Sequence, residues 1–366
     1  MAIYYTRYSK FIYQHMLQNI FMCIDSGHCE CYSKHQEKFF RNIQKKGGYQ
    51  MSNFMFSLNA TLPVFLVIVL GWFLMQKKMF NDNFVDIINK FVFKVSLPVL
   101  LFKDIATTPI KDAFDPKFVI FCMVGTTIMF MGIWALTTIF MKDKSMVGAF
   151  TQASARGSAA VLGIAFVQNI YGNSGMTPLM IVSAVPLYNI YSVIILTFCA
   201  NDQDHSDRAA TIKRAFKNIL TNPIILGIAA GVPFSLLNIE LPPLVLKTVT
   251  NVAQTATPMA LLAVGAGFEG RKAIKKIKPT MIATFIKLIA LPAIYFPFAI
   301  AMGFRESALV AILIMVGSPT TVTCYIMAKN MGNDDVLSSS IIVMATLLSS
   351  VTLTFWIFLL RSMGLI

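Results

Sequence analysis

The sequence predicts an all-α integral membrane protein: ten transmembrane helices in a 5+5 inverted repeat, with helices 4 and 9 interrupted. Three observations predict it. Hydrophobic residues make up 56% of the chain and charged residues 13%, with a mean hydropathy of +0.66, whereas soluble domains carry about 25% charged residues. Second, the chain repeats itself at an offset of 160 residues: Pro63 matches Pro223, Gly71 matches Gly231, Pro98 matches Pro258, Gly157-Ser158 matches Gly317-Ser318, and Tyr171-Gly172-Asn173 matches Met331-Gly332-Asn333. Third, five apolar runs of spanning length fall in each half. An odd number sends the second half in from the opposite side, so the repeats are inverted.

The spans are predicted at 58–75, 84–102, 118–141, 146–170 and 176–199, then 217–237, 249–268, 279–303, 305–330 and 336–361. The first repeat is therefore 54–200, the linker 201–216 and the second repeat 217–361. Lys and Arg concentrate in the odd-numbered loops, at Lys77, Lys78, Lys142, Lys144, Lys213 and Arg214, and from Arg271 to Lys278. Basic loops stay cytoplasmic, so the linker is cytoplasmic and both ends of the ten-helix body face outward across a plasma (bacterial inner) membrane. The net charge of +14 is mostly this topology signal, and no separate basic domain points to nucleic acid.

Residues 1–50 stand apart. They are basic, lie outside the repeat and hold no apolar run long enough for a span or signal peptide. Met51 directly precedes span 1, so residues 1–50 are expected to be disordered or not native, with an amphipathic surface helix through Ile12, Met16, Ile20 and Ile24 as the rival. Cys23, Cys29 and Cys31 lie near His28 and His35, but their spacing fits no standard zinc pattern and no metal is expected. Cys122, Cys199 and Cys324 read as packed thiols. All four histidines lie outside the spans, which removes the usual intramembrane ligand or base and weighs against a membrane-embedded enzyme.

Charge inside the spans narrows to Lys90, Lys94, Arg156 and Lys287, none of them acidic. Intramembrane charge costs about 2.5–3.5 kcal/mol on insertion scales and marks pathways and sites. Lys90 and Lys94 suit anchoring at the span 2 end. Lys287 suits equally a carbonyl partner or a cavity wall. Arg156 lies mid-span in Ser154-Ala155-Arg156-Gly157-Ser158, a weak helix of small residues, and the matching stretch of span 9 is Gly317-Ser318-Pro319-Thr320-Thr321, where Pro319 breaks the helix. Two interrupted helices meeting near the midplane offer free N–H groups to an anion. Arg156 adds a permanent cation able to bind bidentately. The implied substrate is an organic anion, a carboxylate foremost, bound by Arg156, Gly157, Ser158, Ser318, Pro319, Thr320 and Thr321, with Asn189 contributing a polar contact or helix packing. No cofactor is expected. A proton or sodium as coupling partner stays open, with hydroxyls at Ser318, Thr320, Thr321 and Thr323 available to sodium. A homodimer stays open too.

Leu97-Pro98-Val99-Leu100-Leu101-Phe102, Arg156 to Gly163, Pro186-Leu187-Tyr188-Asn189, Thr221-Asn222-Pro223, Ala256 to Leu262, Ser318-Pro319-Thr320 and Met327-Ala328-Lys329 together resemble the auxin efflux carrier family in its bacterial, organic-acid permease form, over about 54–361. The resemblance implies crossed helices 4 and 9, a scaffold of helices 1, 2, 6 and 7, and a mobile bundle of helices 3–5 and 8–10. It implies substrates such as malate, malonate or auxin-like acids, moved by alternating access. Gly157-Ser158 and Gly163-Ile164-Ala165 depart from the family's usual Pro-Asn and Gly-Ile-Pro or Gly-Leu-Pro, which implies a less sharp break in helix 4. The alternative readings are a sodium-coupled symporter of the bile-acid-carrier type and a related cation/proton antiporter; the missing intramembrane acids weigh against the antiporter.

Overall fold

The computed structural model describes residues 49–107, 115–200, 215–237 and 239–366. The expectations for the N-terminal cysteines and histidines, and for most of the linker 201–216, lie outside these residues. The chain divides into two compact units, Met1–Asn53 and Phe54–Ile366, and the second holds the fold described below.

The described residues are helical, with one isolated bridge between Gly157 and Thr320. In chain order the helices are α1 (Tyr49–Gln76), α2 (Asp82–Phe91), α3 (Leu97–Ala106), α4 (Pro116–Phe140), α5 (Val147–Ala155), α6 (Ala159–Tyr171), α7 (Thr177–Phe198) and α8 (Pro223–Leu237). They continue with α9 (Pro243–Gln254), α10 (Ala256–Ala266), α11 (Gly270–Lys275), α12 (Ile277–Phe285), α13 (Leu291–Ala301), α14 (Glu306–Gly317), α15 (Thr323–Asn330) and α16 (Asp335–Ser362). Helix covers the predicted spans, but spans 4 and 9 are split into α5/α6 and α14/α15, and span 7 bends between α9 and α10 at Thr255. Among the described residues four stretches are long and apolar enough to cross a bilayer: α4, α7, Ile277–Ala301 and α16, of 25, 22, 25 and 28 residues. At 1.5 Å per residue each exceeds a hydrocarbon core of about 30 Å. Large apolar side chains stay exposed along them, such as Ile128, Leu136, Ile139 and Phe140 on α4 and Phe285, Ile294 and Phe298 on α12 and α13. A soluble surface avoids such bands; a lipid-facing one requires them. The chain is a multi-pass membrane protein.

Proline chemistry explains two irregularities. Wide π turns at Val92–Ser96 and Ile286–Ala290 join α2 to α3 and α12 to α13. Pro98 and Pro292 follow at the second position of the next helix. A proline lacks the N–H and clashes with the carbonyl four residues back, and a wider turn relieves both. Polar caps fix the water-side ends: Asn81 accepts from the Phe84 N–H, Asp115 from Lys117 and Phe118, and Asp334 from Leu337.

Two hydrophobic cores form. One gathers α4–α7, α12–α14 and α16 around Phe118, Phe130, Phe166, Tyr188, Ile312 and Trp356. The other gathers α1–α3, α8, α10 and α15 around Ile68, Val92, Ile224, Ala260 and Tyr325, with Val193 and Leu196 of α7. In the second core the helix pairs approach backbone to backbone, and glycines permit it. A Cβ on Gly71 would run into the Leu262 carbonyl oxygen, and one on Gly231 would lie 2.9 Å from the Phe102 carbonyl oxygen. Residues 71 and 231 are 160 apart, and so are 102 and 262. The two notches thus share the 160-residue offset, with glycine and carbonyl in opposite order along the chain.

Candidate functional site at the helix crossing

The α5/α6 and α14/α15 breaks meet. Arg156 leaves the helix with φ −79 and ψ 124, and Ser318 with φ −71 and ψ 155. The gap is three residues long in the first pair, 156–158, and five in the second, 318–322. The difference follows composition: Pro319 denies a hydrogen bond to the preceding turn, whereas Gly157 merely weakens the helix. The Ser158 N–H donates to the Pro319 carbonyl at 2.9 Å and Gly157 bridges Thr320, so the two extended stretches satisfy each other in the interior. The fit leaves no room for a side chain at 157. A Cβ there would collide with the Ser318 hydroxyl oxygen and sit 2.9 Å from the Lys287 Nζ.

Arg156 is 5% exposed. Its Nη2 donates to the Asn189 Oδ1 at 2.8 Å and its Nη1 to the Met327 sulfur at 3.0 Å. Asn189, on α7, spends its Nδ2 on the Val185 carbonyl at 2.9 Å. It is thus a fixed post for the guanidinium, its amide used in orienting Arg156. Gln152, one turn before Arg156, donates to the same Met327 sulfur at 3.3 Å. Among the described residues Arg156 makes no ion pair. A guanidinium has five N–H donors, so those two bonds leave donors free.

The remaining predicted residues are in different states. The Thr320 hydroxyl donates to the Ala153 carbonyl at 2.7 Å and has only its acceptor side to offer. Thr321 accepts from the Thr323 hydroxyl at 3.4 Å. Among the described residues the buried Ser318 hydroxyl has no hydrogen-bond partner and the Ser158 hydroxyl makes no cap bond. Pro319 is buried, while Ser158, Thr321 and Thr323 are half-buried. Lys90 and Lys94 are exposed. Asp86 on α2, inside predicted span 2, corrects the expectation that the spans hold no acid: it pairs with Lys329 of α15 at 3.2 Å.

Sequence reasoning missed Gln152, Met327 and Tyr188. Tyr188 donates from its hydroxyl to the Met315 carbonyl at 2.8 Å in the last turn of α14. Only Gln152 carried a usable signal, the i−4 spacing that puts it on the Arg156 face.

A cavity of about 160 Å³ lies between α3, α7 and α8, lined by Leu101, Asp104, Ile105, Ile181, Val182, Val185, Pro186, Val232 and Ser235. Its Val185 wall is one helical turn from Asn189.

Residues 56–357 match the membrane transport protein family. A protein of Rhizobium meliloti (strain 1021) named "Putative malonate transporter" is 25% identical over 307 residues, covering 82% of this chain and 95% of that one. An "Uncharacterized transporter" of Methanothermobacter thermautotrophicus is 22% identical over 307 residues, covering 83% and 98%. The "Uncharacterized transporter YfdV" of Escherichia coli (strain K12) is 24% identical over 246 residues, covering 65% and 76%. With the family match extending over most of the sequence and through both broken helices, the chain belongs to the membrane transport protein family, that of the auxin efflux carriers.

Proposed function

We propose that the protein is a secondary carrier of organic anions, working by alternating access about the α5/α6 and α14/α15 crossing. One observation carries the reading: Arg156 is buried where two broken helices meet, without a carboxylate partner and with N–H donors to spare. A buried cation calls for a counter-charge, and an arriving carboxylate would supply it, with the guanidinium fork matching its geometry. Ser158, Ser318 and the acceptor sides of Thr320 and Thr321 would complete the contacts. The malonate in the name of the Rhizobium meliloti relative makes small dicarboxylates the first substrates to try.

The 5+5 inverted repeat, with repeats 54–200 and 217–361, is part of the same reading. It is supported by the exchanged Gly71–Leu262 and Gly231–Phe102 contacts and by the meeting of the two breaks. The two cores support a division into scaffold and moving bundle. They also differ from the expected grouping, because α15, the second half of span 9, packs in the core of α1–α3, α8 and α10. Loop charge supports a topology with both ends of the helical body outside.

The test is the thermal midpoint of the purified protein against a panel of mono- and dicarboxylates, with sodium or choline as counter-ion. A ligand of the folded state raises the midpoint by mass action. A selective rise that Arg156→Ala abolishes, together with loss of saturable uptake in vesicles, is expected. Undiminished uptake by a folded Arg156→Ala protein would remove Arg156 from the site. A rise with sodium alone would favour the sodium-coupled symporter.

A further inference from the structure

Lys287 is fully buried in the π turn Ile286–Ala290. Its Nζ donates to the Ala155 carbonyl at 2.9 Å and reaches the Met315 carbonyl at 3.4 Å. Neither acceptor is arbitrary. Ala155 is the last residue of α5, and the chain leaves the helix at Arg156. Met315 lies in the last turn of α14, and the residue four places on, which would donate to its carbonyl in an unbroken helix, is Pro319, which has no N–H. Both oxygens thus lose their in-helix donor at the two breaks, that of Met315 also accepting from the Tyr188 hydroxyl at 2.8 Å, and each sits at the negative end of its half-helix dipole. Among the described residues Lys287 makes no ion pair. Gly157 leaves the space the ammonium fills.

Exposed carbonyls and half-helix C-terminal ends at such breaks are the groups that hold a coupling cation in discontinuous-helix carriers. We propose that the Lys287 ammonium is a tethered cation occupying that position, so that the protein binds no sodium at the crossing and transport proceeds without it. The two basic side chains then divide the labour: Lys287 answers the negative ends of α5 and α14, and Arg156 is left for the anion. The transport clause rests on the reading in the preceding section; the cation clause does not.

The experiment uses the full-length purified protein. The wild-type midpoint is titrated with sodium chloride against choline chloride at equal ionic strength. Lys287→Ala is titrated with sodium chloride and with ethylammonium chloride. Lys287→Met, which fills the space without a charge, is titrated beside it. Expected are a wild type indifferent to sodium, a Lys287→Ala midpoint several degrees lower that sodium or ethylammonium restores, and a lowered Lys287→Met midpoint that neither restores. Anion uptake by wild type should agree within about two-fold in sodium and choline media. A sodium-specific rise in wild type, a Lys287→Met protein as stable as wild type, or a folded Lys287→Ala protein unresponsive to both cations would overturn the proposal. If Lys287→Ala does not fold, the wild-type and Lys287→Met arms decide. Absence of any anion uptake would defeat the carrier reading and leave the cation result standing; sodium-dependent anion uptake would defeat the tethered cation and leave the carrier reading standing.

Discussion

In Asn189→Asp the oxygen that accepts from the Arg156 Nη2 at 2.8 Å becomes part of a carboxylate of nearly unchanged shape. At that distance and an effective dielectric constant of about 20, the new attraction is about 6 kcal/mol. Burying the new charge costs several kcal/mol, and the second carboxylate oxygen, standing where Nδ2 donated to the Val185 carbonyl at 2.9 Å, loses that bond, so the attraction is offset in folding and the midpoint should fall modestly. Binding is different, because an incoming anion must now compete with a resident one. If a third of the attraction opposes it, about 2 kcal/mol is lost, or roughly 30-fold in affinity. Asn189→Ala acts the other way: it strips a hydrogen bond from a buried charged group, worth about 1.5–3 kcal/mol of stability, and adds no competitor. The Asp variant should be the more stable of the two and the poorer binder. Thermal midpoints with and without the best carboxylate, followed by uptake kinetics, measure both. An Asp variant that binds the carboxylate with wild-type affinity would refute the argument that Arg156 meets the ligand.

Gly71→Ala drives a methyl group into the Leu262 carbonyl and should destabilise by about 1–3 kcal/mol as an overpacked contact; Gly132→Ala, where a Cβ would meet nothing within 4 Å, should leave the detergent-solubilised midpoint unchanged. Asp334 both caps α16, through the Leu337 N–H at 2.9 Å, and pairs with Lys276. Asp334→Ala should therefore cost about 1 kcal/mol or more, while Asp334→Asn, which keeps the cap, should retain most of the stability in the same assay.

Much of this architecture could be read from the sequence because lipid imposes a simple rule. An unbroken apolar run such as 118–141 has few folded alternatives, and the helix Pro116–Phe140 fills it. Arg156 and Pro319 were legible for the same reason: a permanent charge and a missing N–H are conspicuous inside such a run. Met327 was not, since a thioether looks apolar in sequence and acts as an acceptor only when two donors, from Gln152 and Arg156, are brought to it. Lys287 was visible as a charge but not as a partner of Ala155 and Met315. Its partners are backbone carbonyls freed by breaks far away in the chain, and a carbonyl has no letter in the sequence. The π turn that carries it depends on Pro292 downstream, a coupling that helical periodicity alone does not reveal.

The exchanged glycine notches also bear on how the molecule is made. Gly71 is synthesised early, yet the carbonyl that seats against it belongs to Leu262, which emerges only after the second half has begun. Phe102 likewise waits for Gly231. Throughout that interval the first half presents unfilled grooves to the bilayer and to whatever insertion machinery attends it.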